Sequence, residues 1–255
     1  MGVVPRCVVA ASLMSVVFAA RADEPPVWGV GVGVGVISTQ KPYQDSDRQY
    51  TPIPILHYEN RYFRFSGTAA EVKLPALHLS ETQQFNIGLI ARYDGTGYSS
   101  DDADILKGMD KRKGGFWGGA GIGWQNPVVD LFTDWTHDLS GNSRGQRLRL
   151  GAEKRWHLSE QFTLTPRLVV SRYNSSYVDY YYGVRRSEAR PWRPAYRADA
   201  SINTEMGVRS LYTFNEHHTL MVDVEMTLLA AEIKDSPLVN RTNENRILIS
   251  YLYYF

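Results

Sequence analysis

The sequence predicts an all-β membrane protein, a transmembrane antiparallel up-and-down β-barrel of about 12 strands, and three observations carry that expectation. Apolar residues alternate at a period of two in one segment after another, and after the N-terminal leader no apolar run approaches the ~20 residues of a helical span. Short and long connections between those segments alternate in phase, as they do in outer-membrane barrels. The last segment, Arg246 to Phe255, sets Ile247, Ile249, Tyr251, Tyr253 and Phe255 on one face and ends in aromatics suited to the membrane interface. A lone strand cannot cross hydrocarbon, because each unpaired N–H or C=O costs several kcal/mol there, so its neighbours must close around it.

The N-terminus reads as an export signal. Arg6 precedes an apolar run from Cys7 to Ala20, and Ala20-Arg21-Ala22 supplies small residues where a signal peptidase reads, so residues 1–22 are expected to be cleaved and 23–255 to form the barrel. About 14 apolar residues are too few for a transmembrane helix. Cys7 is the chain's single cysteine and would leave with the signal, which excludes disulfides, a thiol nucleophile and a thiolate metal site from the mature protein. Of 28 basic and 27 acidic residues, losing Arg6 and Arg21 leaves 26 against 27. No basic excess points to nucleic acid.

Taken in order, the mature chain opens on Trp28 to Ser38, where Val30, Val32, Val34 and Val36 face lipid and Gly29, Gly31, Gly33 and Gly35 leave the inner face bare. Glycine weakens a strand, so either something packs closely against that wall or the wall must curve there. Tyr50 to Tyr58 follows, with Pro52 and Pro54 delaying the start of its strand, and then Arg61 to Phe65 and a weaker segment from Glu71 to Leu79. In Phe85 to Tyr93 the apolar residues face out while Asn86, Gly88 and Arg92 face in. Asp94 to Gly115 is polar, and its Asp101, Asp102 and Asp104 lack calcium-loop spacing, so it reads as a solvated loop. Gly118 to Trp124, Val129 to Trp135, Leu148 to Arg155 and Phe162 to Ser171 continue the alternation. A connection from Asn174 to about Ala200, rich in Tyr, Arg and Pro, separates these from Ile202 to Tyr212, Leu220 to Leu228 and the terminal strand.

With short turns taken as periplasmic, both termini lie in the periplasm and the strand number is even. A lumen of this size is wider than one of ~8 strands and narrower than one of ~16. It is expected to hold Arg92, Arg147, Arg149, Arg167 and Arg209 with Asp130, Asp134, Glu153, Glu205, Asp223 and Glu225, and such opposite charges pair into a structural network. His137, Asp138 and Ser140 form the one compact hydrolase-like group, but neighbours on a strand point apart and Ser140-Gly141-Asn142 reads as a turn. No catalytic, cofactor-binding or metal-binding residue is therefore expected.

The chain resembles the MipA/OmpV family of outer-membrane proteins. The residues that carry the likeness are the Gly/Val strand, Tyr50-Thr51-Pro52-Ile53-Pro54-Ile55, Phe63-Arg64-Phe65-Ser66-Gly67, Leu106 to Arg112, Tyr180-Tyr181-Tyr182-Gly183-Val184, Pro194-Ala195-Tyr196 and Asp235-Ser236-Pro237-Leu238-Val239. The resemblance implies a non-enzymatic scaffold that joins a murein lytic transglycosylase to a bifunctional murein synthase, a penicillin-binding protein, with a porin-like channel for small solutes or antibiotics as the alternative. Tyr180, Tyr181, Tyr182, Gly183, Asp235, Ser236 and Pro237 fall outside the membrane-crossing segments, and their apolar detail suggests two loops that meet as a packed cap over the lumen.

Overall fold

The computed structural model describes residues 29–255, so the expected leader, residues 1–22, lies outside the described residues. In chain order the strands are β1 (Gly29–Gln40), β2 (Gln49–Glu59), β3 (Phe63–Ser66), β4 (Ala69–Lys73), β5 (Leu77–Ser80), β6 (Gln83–Asp94), β7 (Gly115–Gln125), β8 (Asp130–Asp138), β9 (Gln146–Glu153), β10 (Trp156–His157), β11 (Phe162–Tyr173), β12 (Ser201–Thr213), β13 (His218–Leu228) and β14 (Asn243–Tyr254). All pair antiparallel; β4 and β5 share β6 as a partner, and β9 and β10 share β11. The sheet closes where β14 pairs with β1, giving a barrel of 12 strand positions.

Closure follows from the alternation. Val34, Val36, Leu89, Leu150, Leu168, Val224 and Ile249 are exposed on the outer wall, whereas Arg92, Arg149, Arg167 and Asp223 are buried inside. The described barrel begins and ends at one end of the cylinder, since Gly31 pairs with Tyr254 and the Phe255 N–H donates to the Val30 carbonyl. The short turns 60–62, 126–129 and 214–217 lie at this same end, and the long connections 41–48, 95–114, 174–200 and 229–242 gather at the other. The bare glycine face of β1 answers to close approach: a Cβ at Gly33 would sit 2.2 Å from the Tyr251 carbonyl oxygen, and one at Gly35 would sit 2.9 Å from the Ser250 Cβ.

Two expectations need correction. The β2 strand does not start late; it runs from Gln49 through both prolines, with Pro52 opposite Val36 and Pro54 opposite Val34. The Leu56 carbonyl accepts from the Gly67 N–H, so residues 50, 52, 54 and 56 turn their backbone polar groups away from β1. The prolines therefore cost the β1–β2 ladder no hydrogen bond. The connection 174–200 is also not wholly irregular, because Ser175–Tyr182 forms a helix, α1. Asn174 caps it by accepting from the Tyr177 N–H, and the buried residues Tyr177, Val178, Tyr181 and Tyr182 form one face at helical spacing.

Val224 lies on the outer wall, 46% exposed, and Thr227 on the inner one. Replacing Val224 with Arg is expected to cost about 2–4 kcal/mol in a lipid bilayer, with Thr227→Ser close to neutral, as read from denaturant unfolding in vesicles.

Candidate functional site

The most extensive apolar core of the described residues lies above the barrel, not within the wall. Tyr43, Tyr98, Ile105, Leu106, Met109, Tyr177, Val178, Tyr181, Tyr182, Val184, Ile233 and Leu238 bury one another, and they come from all four long connections. Polar groups lock the packing. The Arg112 guanidinium donates to both Glu188 carboxylate oxygens, at 2.9 and 2.8 Å, and its Nε donates to the Tyr180 carbonyl. Arg193 donates from Nη2 to the Glu188 carbonyl and from Nη1 to the Lys107 carbonyl, tying 95–114 to 174–200 a second time. The Asp110 and Arg185 N–H groups complete the Glu188 shell. Burial pushes the Glu188 carboxyl up, but the hydrogen bonds from Arg112 and these two N–H groups outweigh it and hold the carboxyl below its usual range. Burial pushes the Tyr43, Tyr177 and Tyr182 hydroxyls well above theirs.

The structure brings the two candidate loop segments together. Ser236 Oγ donates to the Tyr182 carbonyl at 2.6 Å, and Leu238 joins the same apolar cluster as Tyr181 and Tyr182. Tyr180 accepts the Lys113 N–H on its hydroxyl, and Tyr181 donates its own to the Lys113 carbonyl. Gly183 is required by space: a Cβ there would meet the Asp179 carbonyl oxygen at 2.3 Å. Pro237 is half-buried, and Asp235 is exposed at the end of the short helix α2 (Ala231–Lys234).

Below the cap the lumen charges form two groups, bridged where Arg149 reaches Glu205 at 3.9 Å. In one, Arg167 donates to Glu205, Asp223 and Glu225 at 3.0, 2.9 and 2.9 Å, and Arg209 and Arg246 bind Asp223 and Glu225 respectively. In the other, Arg92 and Arg149 share Asp134 at 3.3 and 3.5 Å, and Arg147 reaches Asp94 at 3.4 Å. Asp130 and Glu153 are direct cross-strand neighbours near the short-turn end, and Glu153 also lies opposite Arg167 on β11. Asp94, Arg246 and Glu244 were not among the expected lumen charges, although the alternation that exposes Ile249 and Tyr251 turns Glu244 and Arg246 inward. Arg112 and Glu188 carried no such signal, because loop packing has no period.

Between cap and networks lies a polar cavity of about 110 Å³, lined by Arg92, Asp94, Arg147, Arg149, Glu225 and Glu244 among others. Mid-barrel, inward-facing Ile37, Met221 and Leu248 pack together, as do Phe132 and Val169. The His137–Asp138–Ser140 group does not assemble a hydrolase site. His137 stacks beside Trp135 on the outer wall, while the Asp138 carboxylate accepts the N–H groups of Ser140, Gly141, Ser143 and Arg144 as the anchor of a turn.

A closed antiparallel barrel with an aliphatic outer wall, aromatic ends and a charged interior defines the chain as an outer-membrane barrel protein. The model of the family described as MltA-interacting protein MipA matches residues 32–255, and the chain belongs to that family. Among similar sequences are outer membrane protein OmpV of Vibrio cholerae, 25% identical over 87% of this chain and 85% of that protein, and the MltA-interacting protein of Escherichia coli, 24% identical over 89% and 90%. Among solved structures, a NanC porin aligns with a TM-score of 0.50 at 11% identity, covering 88% of this chain and all of that one, a likeness of fold.

Replacing Glu188 with Gln leaves the buried Arg112 charge without its counter-ion and is expected to destabilise the cap by about 3–5 kcal/mol, measured as faster protease cleavage within 95–114 and 174–200. Because the folded Glu188 pKa lies below its unfolded value of about 4.3, the pair contributes fully above that value, and protection of the native cap should fall as pH drops through the folded pKa.

Proposed function

We propose that the protein is a non-enzymatic outer-membrane scaffold whose short-turn end faces the periplasm and holds a murein lytic transglycosylase, together with a bifunctional penicillin-binding protein. The name of the Escherichia coli relative, MltA-interacting protein, supports the transglycosylase, and membership of the same family supports carrying it over; the penicillin-binding protein rests on the family resemblance alone. The observation that carries a scaffold over a channel is the closed mouth: three connections bury tyrosines, and the fourth buries Ile233 and Leu238 against them, over a lumen filled with ion pairs and apolar side chains. A barrel obstructed in this way works through its surface.

The short turns offer limited area, and a stable interface buries about 1,200–2,000 Å². A partner would therefore bridge several turns, and exposed Tyr62 and Val128 give apolar anchors on two of them. Co-purification from detergent-solubilised envelopes tests the reading. The lytic transglycosylase is expected to be retained by the intact barrel and at least tenfold less by a Tyr62→Asp, Val128→Asp variant that still migrates as a folded barrel. Absence of any murein enzyme from the wild-type eluate would overturn the scaffold.

A further inference from the structure

The wall of the barrel has a break that the prolines of β2 frame. The β3–β4 hairpin is short, and it pairs with β2 only over His57–Glu59, with one further bond from Gly67 to Leu56. Among the described residues, no strand covers the other edge of β2 from Gln49 to Ile55. Polar backbone groups in that stretch face the break at residues 50, 52 and 54. Pro52 and Pro54 have no N–H, so the edge presents carbonyl acceptors with Tyr50 as the one residue able to donate. Such an edge resists strand addition, which requires alternating donors and acceptors, and so the break stays open to smaller ligands.

The break is a bounded window. Its base is the hairpin tip at Gly67 and Thr68, where the Thr68 carbonyl accepts from the Tyr93 N–H of β6. Its far side is the chain leaving β6 through Asp94 and Thr96. Across its top, Lys41 Nζ donates to the Gly97 carbonyl at 2.7 Å, linking the end of β1 to the segment after β6. Asp94 and Thr96 also line the polar cavity, whereas no residue of β1 or β2 does. The cavity thus borders the window, while the packed cap closes the axial route.

Inside, the cavity has two unlike walls. Arg92, Arg147 and Arg149 face Asp94 and Asp134 through contacts of 3.3 to 3.5 Å, and Arg149 also reaches Glu205 at 3.9 Å. Arg92 Nε and Arg147 Nε and Nη2 are buried with no hydrogen-bond partner in the protein, on side chains that are each 4% exposed. A buried guanidinium with free N–H groups calls for an anionic acceptor. The opposite wall carries Glu225 and Glu244, with Arg246 bound to Glu225.

We infer that the window is a lateral port through which a membrane phospholipid with a phosphate and a primary ammonium, the chemistry of phosphatidylethanolamine, places its headgroup in the cavity. Its phosphate meets Arg92 and Arg147, and its ammonium is held on the Glu244 side. The acyl chains stay outside, against the exposed residues Tyr50 and Leu56. This assignment stands independently of the scaffold.

Native mass spectrometry of the full barrel tests it, with phosphatidylethanolamine, phosphatidylcholine and phosphatidylglycerol of matched chains as probes, and with free phosphoethanolamine as competitor. One equivalent of phosphatidylethanolamine is expected to be retained at least tenfold more strongly than the other two lipids. Arg147→Gln should weaken all retention. Glu244→Gln, on the other wall, should erase the preference over phosphatidylglycerol, so the assignment stays testable if the arginine variant does not fold. Equal retention of the three lipids would overturn the proposal. Displacement by free phosphoethanolamine at concentrations comparable to the lipid would overturn it as well, since a soluble ligand then needs no lateral port.

Discussion

Backbone polar groups inside hydrocarbon must find partners, and this constraint organises the whole molecule. It forces the strands to close, and closure fixes two faces. The outer wall can then be Val, Leu and Ile with aromatics at its ends, while the charges on the strands, apart from exposed Arg172 near the end of β11, are directed into a lumen too narrow to hydrate all of them. Arg167 meets three carboxylates there because β12 and β13 set Glu205, Asp223 and Glu225 on the same inner wall. Such a network owes its existence to the alternation, and truncating one member leaves another charge buried without its partner.

The barrel was legible in the sequence for the same reason. A period of two is imposed by lipid on one side and water or ions on the other, so Val224, Leu150 and Arg149 reveal their faces without any knowledge of their neighbours. Where that pressure ends, legibility ends with it. The hairpin β3–β4 is short, with strands of four and five residues, so it left only a weak pattern. The prolines of β2 misled because proline normally excludes a strand centre, and here the missing N–H groups lie on an edge that has no strand to bond. The helix α1 did leave a signal, a capping Asn174 followed by Tyr177, Val178, Tyr181 and Tyr182 at helical spacing, hidden inside a segment whose Tyr, Arg and Pro content reads as loop. The Arg112–Glu188 pair spans 76 positions of sequence and has no periodic trace.

The cap and the wall divide the labour of sealing the barrel. Solvated loops tolerate nearly any polar sequence, whereas these four connections bury tyrosines and aliphatic side chains against one another and bind a charged pair beside the cluster. That packing gives the far end of the barrel a core of its own, larger than either apolar cluster inside the wall. Among the described residues, the hydrogen-bonding pattern leaves a lateral break at the edge of β2.

Closure of the axial path is the claim on which the rest depends, and ion conductance through single barrels in a planar lipid bilayer tests it most directly. The wild-type protein should give no steady open level, and the Glu188→Gln variant should show openings as its cap loosens. A large, steady conductance from the wild-type barrel would contradict the account.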